Sequence, residues 1–412
     1  MKLTLKTTVA AIFCVLPWMG GCQNATTNET PAGKTEETIA ELSETSSNQT
    51  EETIAEVIET YAQIVYLSYA DSLRKARAMS TAIETFVENP TEENLKVARQ
   101  SWIDARLPYL QTEVFRFYGG PIDDENGPEG LLNAWPMDEA YVDYVKDDPD
   151  AGIINDPERY PEINTENLTK WNESEGEENV STGYHAIEFL LWGQDLRADG
   201  PGNRPHTDYS SEPNAERRKK FLLAATGLLL EKLEGLVAEW KPDKDNYRRA
   251  FMEAKPLESM EKILAGMTLL SGFELAGERL LVAYESQAQE DEHSCFSDTT
   301  HNDCIYDLIG IQNVWQGRYE KVDGAVFTGL GLRAAASSKA PEKTAAIDAL
   351  LARSMKQAKA IPVPFDQAIL GDNESKSRKE IMALVENLED ISENLAAIGF
   401  AFGFKVPTEV DE

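Results

Sequence analysis

Histidine and cysteine are both scarce here, with only four of each in 412 residues. Cys14 and Cys22 fall in the N-terminal segment, so Cys295 and Cys304 are the only thiols left for a disulfide or a thiolate metal site. Basic charge is also short: 39 Lys and Arg face 72 Asp and Glu, a formal charge of −33. Such a chain repels nucleic acid and anionic membrane surfaces, so no nucleic-acid partner is expected. No apolar run is long enough to span a bilayer. There is no Gly-rich phosphate loop, no nucleophile elbow and no C-x-x-C-H for covalent haem. No stretch alternates apolar and polar residues long enough to argue for a sheet.

What apolar sequence the N-terminus has is short. Lys2 and Lys6 precede an apolar stretch from Thr8 to Trp18, which reads as a secretion signal rather than a span. Met19-Gly20-Gly21-Cys22 resembles a bacterial lipobox, implying a signal over residues 1–21, cleavage before Cys22, and a lipid on its thiol as membrane anchor. Gln23 and Asn24 lack the aspartate that marks inner-membrane retention. The expected location is the outer membrane facing the periplasm, with the cell surface or a secreted form as alternatives. Residues 22–50, rich in Thr, Glu, Ser and Asn, read as a flexible tether.

Beyond the tether the pattern turns helical. Ile54, Val57, Ile58, Tyr61, Ile64, Val65 and Tyr69 recur at helical spacing. After Asn89-Pro90-Thr91 a second helix carries Leu95, Ala98, Trp102, Ala105 and Tyr109 on one stripe, with Pro108 expected to kink it. Similar periodicity covers roughly 214–240, 246–253, 257–288, 341–359 and 375–400. The chain reads as all-α, with long connections near 119–180 and 289–340 of the length that often carries function.

Within T-G-Y-H-A-I-E-F-L-L-W-G-Q-D, His185 and Glu188 stand three residues apart and share one helix face. The surrounding residues are apolar on nearly every side, which buries such a helix. One imidazole and one carboxylate supply two ligands for iron or zinc. The bare spacing favours a buried hydrogen-bonded pair that only fixes packing, since H-x-x-E arises often by chance. Neither H-E-x-x-H nor H-x-x-E-H is complete, because Phe189 stands where a second histidine belongs. Glu113 and Arg116 lie one turn apart, and exposed ion pairing is their default reading. Met267, Ser271, Glu274 and Glu278 form a polar-ended stripe on a core-like helix. Glu274 there is either paired with an arginine or free to act as ligand or base. In an oxidising compartment Cys295 and Cys304, nine residues apart, form a disulfide more often than a metal site. Free thiols, or a zinc site with His293 and His301, stay open.

Five segments recur in order: Q-T-E-V-F-R-F-Y-G-G-P-I-D, L-N-A-W-P-M-D-E, G-Y-H-A-I-E, S-G-F-E-L-A-G-E-R and E-D-E-H-S-C-F-S-D-T-T-H. Together they resemble the imelysin-like family, over about residues 111–301 and, with the helical flanks, nearly the whole mature chain. The resemblance implies two packed helical bundles related by duplication, over 51–200 and 201–405 of a domain running from 51 to 405. It implies a pocket at their interface and a role in bacterial iron acquisition. The ligand would be iron or an iron-containing molecule, with zinc or another divalent metal possible in its place and iron-uptake transport components as partners. The G-x-H-x-x-E helix would contribute to that pocket, Gly183 allowing close backbone approach. Glu113 and Glu274 are nominated to join His185 and Glu188 as metal ligands, and Arg116, Ser271, Asp298 and His301 to line the pocket. The family also carries a peptidase label, under which Glu188 would be the catalytic residue. A capture module for a polymer or partner protein is the third reading.

Overall fold

The computed structural model describes the backbone of residues 35–410 and the side chains of 51–410. The signal segment and Cys22 lie outside the described residues. The described backbone begins with the helix Thr35–Glu88, inside the segment read as a tether. Residues 48–412 form one unit, and the buried core lies within it.

The periodic stripes become the core. Ile54, Val57, Ile58, Tyr61, Ile64, Val65 and Tyr69 are all buried on the first helix. The helix Glu92–Leu110 starts where the Thr91 side chain accepts from the Asn94 amide, with Glu92 and Glu93 placed to complement the helix dipole. Pro108 lies two residues before its end, and the chain continues as a single 3₁₀ turn, Glu113–Phe115, that is wholly buried. The motif helix Gly183–Trp192 is buried at every position and packs against both Glu92–Leu110 and the long helix Ala215–Trp240. The motif helix and Ala215–Trp240 flank the expected boundary near residue 200 and touch each other directly.

The long segment expected as one helix over 257–288 changes winding twice. It is α-helical over Pro256–Leu269, a π-helix over Leu270–Leu281, and α-helical again over Val282–Ser286. Both of its main parts pack against the helix Lys376–Phe402, which also packs on Pro341–Ala358. The wider π winding brings residues five apart onto one face; it is rare, and is frequently found at functional sites.

The two long connections hold structure of their own. Residues 119–180 carry four short helices. The 289–340 stretch contains the helix Thr300–Gln316, hidden in sequence by its polar first turns, and a small antiparallel hairpin pairing Arg318–Glu320 with Val326–Thr328. The all-α class holds, with that hairpin as the only pair of strands among the described residues besides an isolated Val145–Asp148 bridge.

Candidate functional site

The start of the motif helix is set by Gly183. Its φ is +79°, and a Cβ there would stand 2.6 Å from the Leu132 carbonyl oxygen, so only glycine fits this approach. One turn later His185 and Glu188 face inward, both without solvent exposure. His185 Nδ1 lies 3.1 Å from Glu188 Oε2. Its Nε2 lies 3.3 Å from Arg106 Nη2. A guanidinium only donates, so Nε2 must accept and Nδ1 must carry the proton toward Glu188. Burial, then Arg106 and His293, keep the imidazole pKa well below its usual value, so the ring is neutral. Glu188 Oε1 accepts from the Ser297 hydroxyl at 2.6 Å and the Ser297 amide at 3.0 Å. Burial nonetheless pushes the Glu188 carboxyl up to about 8 against these donors. Both nitrogens of His185 are therefore committed to protein partners, and a cation at Nε2 would have to displace Arg106.

A second histidine stands in front of the first. The His293 ring lies 4.7 Å from that of His185, and Trp135 covers the pair at 4.9 Å from His185 and 6.2 Å from His293. His293 Nδ1 sits 2.9 Å from Asp303 Oδ2, while burial and then Arg279 and Arg106 hold the ring neutral. A neutral imidazole that donates from Nδ1 to a carboxylate presents the Nε2 lone pair in a fixed direction. Ligating histidines are oriented in this way. His293 lines a cavity of about 560 Å³, together with Trp135, Arg116, Arg279, Glu274 and rim carboxylates.

Beside the histidines the cavity wall is an arginine–carboxylate network. Arg279 Nη2 reaches Glu113 at 2.5 Å and Glu274 at 2.9 Å, while its Nη1 reaches Asp307 at 2.6 Å. Arg116 bonds Glu113 at 2.8 Å and approaches Glu274 at 3.3 Å and Glu129 at 3.1 Å. The Glu274–Arg279 pair is five residues apart, the spacing that the π winding aligns. Burial opposes ionisation of Glu113, but Arg116 and Arg279 outweigh it and hold the carboxyl at about 2. Glu274 is held low for the same reasons, whereas burial pushes Glu129 up despite Arg116 and Arg279, and Asp307 up despite Arg279 and Arg106. Two guanidiniums thus balance two low carboxyls, with two further acids raised beside them.

The nominated residues therefore divide. His185 and Glu188 do meet, and Arg116 and Glu274 do line the cavity. Glu113 and Glu274 are bound by arginines, so they stand as counterions in a network and not beside His185 as ligands. The Glu113–Arg116 pair is buried, not exposed. Ser271 is buried and bonds back to the Thr268 carbonyl of its own helix, away from the cavity lining. Asp298 belongs to a separate acidic group beside Asp195, and the half-buried His301 is not among the cavity residues. Cys295 and Cys304 are free buried thiols, so the disulfide is not formed. Cys304 belongs to the helix Thr300–Gln316, inside what spacing alone treats as a loop that a bridge could close. Burial pushes both thiols well up, which disfavours the thiolate that a metal would need.

Sequence reasoning did not reach Arg106, Trp135, Asp303 or Asp307 as site residues, and it weighed His293 only for a zinc site with the cysteines. Asp303 and Asp307 are one turn apart on the unrecognised helix, and that spacing was the available signal. Among the described residues no three His, Cys, Asp or Glu side chains are gathered as a ready metal site. The site is defined instead as a partly open cavity in an all-helical protein, with an oriented imidazole at its inner wall.

The imelysin family model (Peptidase_M75) matches residues 65–395, and the chain belongs to this family. It is 27% identical over 313 residues to iron-regulated protein A of Synechococcus elongatus, the match covering 74% of each chain. Among solved structures it resembles one described as an iron-regulated protein A precursor from Parabacteroides distasonis. That match has a TM-score of 0.66 and 18% identity, covering 85% of this chain and 95% of the other, a likeness of fold.

Proposed function

We propose that this protein is a periplasm-facing lipoprotein of bacterial iron acquisition, and that it holds iron, or a related divalent cation, as cargo in the 560 Å³ cavity. The observation that carries this reading is His293, whose Nδ1 is tied to Asp303 and whose ring lines the cavity. Glu173, Glu177, Glu278 and Asp291 line the same cavity, and none of the four forms an ion pair among the described residues. Such a rim concentrates cations at the mouth. In this reading His185 and Glu188 orient the inner wall. Their own polar atoms are already paired, and His185 packs directly against His293. The names of the relatives agree with an iron-related role.

The test is anaerobic Fe(II) titration by calorimetry of wild type, His293→Ala and His185→Ala. His293→Ala is expected to abolish the site. His185→Ala, which removes the ring packed against His293, is expected to weaken it without abolishing it. Identical isotherms for all three proteins would overturn the proposal.

The family's peptidase description keeps one other reading in view. It requires chelator-sensitive cleavage of unfolded protein that vanishes in Glu188→Gln. The geometry favours it less: Glu188 is fully buried, and both of its carboxylate oxygens are already bonded, to Ser297 and His185.

A further inference from the structure

A second group of acids lies away from the arginine network. Asp195 follows the motif helix, Glu292 and Asp298 sit on the 289–299 segment, and Asp366 lies in the short helix Phe365–Ile369. All four are buried, Glu292 completely. Asp195 and Asp298 lie within hydrogen-bonding range of each other, and Glu292 feels the charges of Asp366, Asp298 and Asp195. The cation acting on them is Arg197, which is half exposed and leans on Asp199. Asp195 accepts from the Arg197 amide and the Gln289 side chain, and Asp366 Oδ2 from Gln367. The remaining oxygens are the informative ones. Both carboxylate oxygens of Glu292 and Oδ1 of Asp366 are buried with no hydrogen-bond partner at full bonding geometry, although the Thr300 hydroxyl lies near enough to Glu292 to favour its charged form.

Buried carboxylates without donors are costly unless something positive joins them. Three chain segments deliver four buried carboxyls to one place, two of them with oxygens that lack donors, and the available ligands are all hard oxygens. Calcium accepts six to eight such ligands in flexible geometry, whereas magnesium demands a tighter octahedron.

We infer that Asp195, Glu292, Asp298 and Asp366 form a calcium-class divalent cation site that clamps the 289–299 segment to the segment after the motif helix and to the helix Phe365–Ile369. Among the described residues no three of these groups already stand at ligand distance, so the ion draws them together. The clamped segment also carries His293, which lines the cavity, and Ser297, which holds Glu188. Binding of the ion therefore fixes the loop on which the cavity's inner wall depends, while the ion itself sits outside that cavity.

The experiment uses the full chain, stripped with chelator and dialysed, and titrated with calcium chloride at pH 7.5 by calorimetry and by thermal unfolding. Calcium is expected to bind at one site and raise Tm by several degrees, with magnesium at equal concentration giving less. Asp366→Asn and Glu292→Gln, checked for native circular dichroism, are each expected to lose at least tenfold in calcium affinity. His293→Ala, which tests the iron-holding reading, is expected to keep the full calcium shift, so the two ideas fail separately. Absence of calcium heat and of any Tm change in wild type at millimolar calcium would overturn the site, leaving protons alone to neutralise the acids. So would a wild-type calcium response retained in both variants.

Discussion

Two buried groups of carboxylates border the 289–307 stretch, and they are neutralised in opposite ways. In the first, Glu113 and Glu274 share Arg116 and Arg279, and both carboxyls are held below their ordinary range. In the second, Glu139, Asp195, Glu292 and Asp298 have no buried arginine, and burial pushes each of them up. Glu139 reaches about 7, Asp298 about 8 and Glu292 about 9. Helical winding explains the contrast. The π stretch places Arg279 five residues after Glu274 and inside the wall. The second group is assembled from loops and short helices that bring only the exposed Arg197. A rigid charge-paired wall thus stands beside a region whose charge is set by solution conditions.

The largest way to break this comparison is to remove the shared cation. Arg279→Ala leaves Glu113, Glu274 and Asp307 with one guanidinium fewer in a dry wall, and such a loss costs about 3–5 kcal/mol. Urea unfolding at pH 7.5 measures it. A loss under about 1 kcal/mol would mean that water already does the work assigned to the arginine.

A smaller effect separates the two groups by pH. The Glu139 carboxyl is raised in the native state, by burial first and then by Glu290. Its contribution to stability is present below the unfolded value near 4.5 and is lost as pH rises through about 7. Glu113 has the reverse sign: its contribution is present above 4.5 and is lost as pH falls toward about 2. Glu139→Gln should therefore flatten stability against pH between about 5 and 7. The wild-type slope assignable to this one group approaches ~1.4 kcal/mol per pH unit. Parallel curves for wild type and Glu139→Gln in calcium-free buffer would remove Glu139 from the solution-set group.

The same contrast explains what the sequence could and could not convey. Stripes such as Ile54 to Tyr69 and Leu95 to Tyr109 encode burial through period alone, so the helical class was legible. His185 and Glu188 were legible as a pair because i, i+3 geometry is local. Their partners were not, because Arg106 is 79 residues from His185 and Ser297 is 109 residues from Glu188. No local period links such positions. The winding change at Leu270 was also invisible, since π and α segments share the same apolar composition. Glu113 and Glu274 were found as functional-looking acids, but only the fold reveals that both answer to Arg279. The cysteines misled for a related reason: spacing suggested a closed loop, while the chain there enters a helix.

The smallest effect tests whether the motif pair belongs to the charge-paired wall or merely adjoins it. Ser297 gives Glu188 two bonds, one from its amide and one from its hydroxyl. Ser297→Ala removes only the hydroxyl, so one bond to a carboxyl is lost while the amide remains. The expected cost is about 1–2 kcal/mol by urea unfolding. The hydroxyl also lies 2.7 Å from Thr299 Oγ1, so a simple loss does not say which neighbour it serves. A double-mutant cycle with Glu188→Gln does. If the hydroxyl supports Glu188, removing it costs less once the carboxyl has become an amide, giving a coupling of at least about 0.5 kcal/mol. Strict additivity would assign the hydroxyl to Thr299 and leave Glu188 held by one backbone amide and His185. The motif carboxyl would then be fixed by its own helix and by the backbone, not the side chains, of the 289–299 segment.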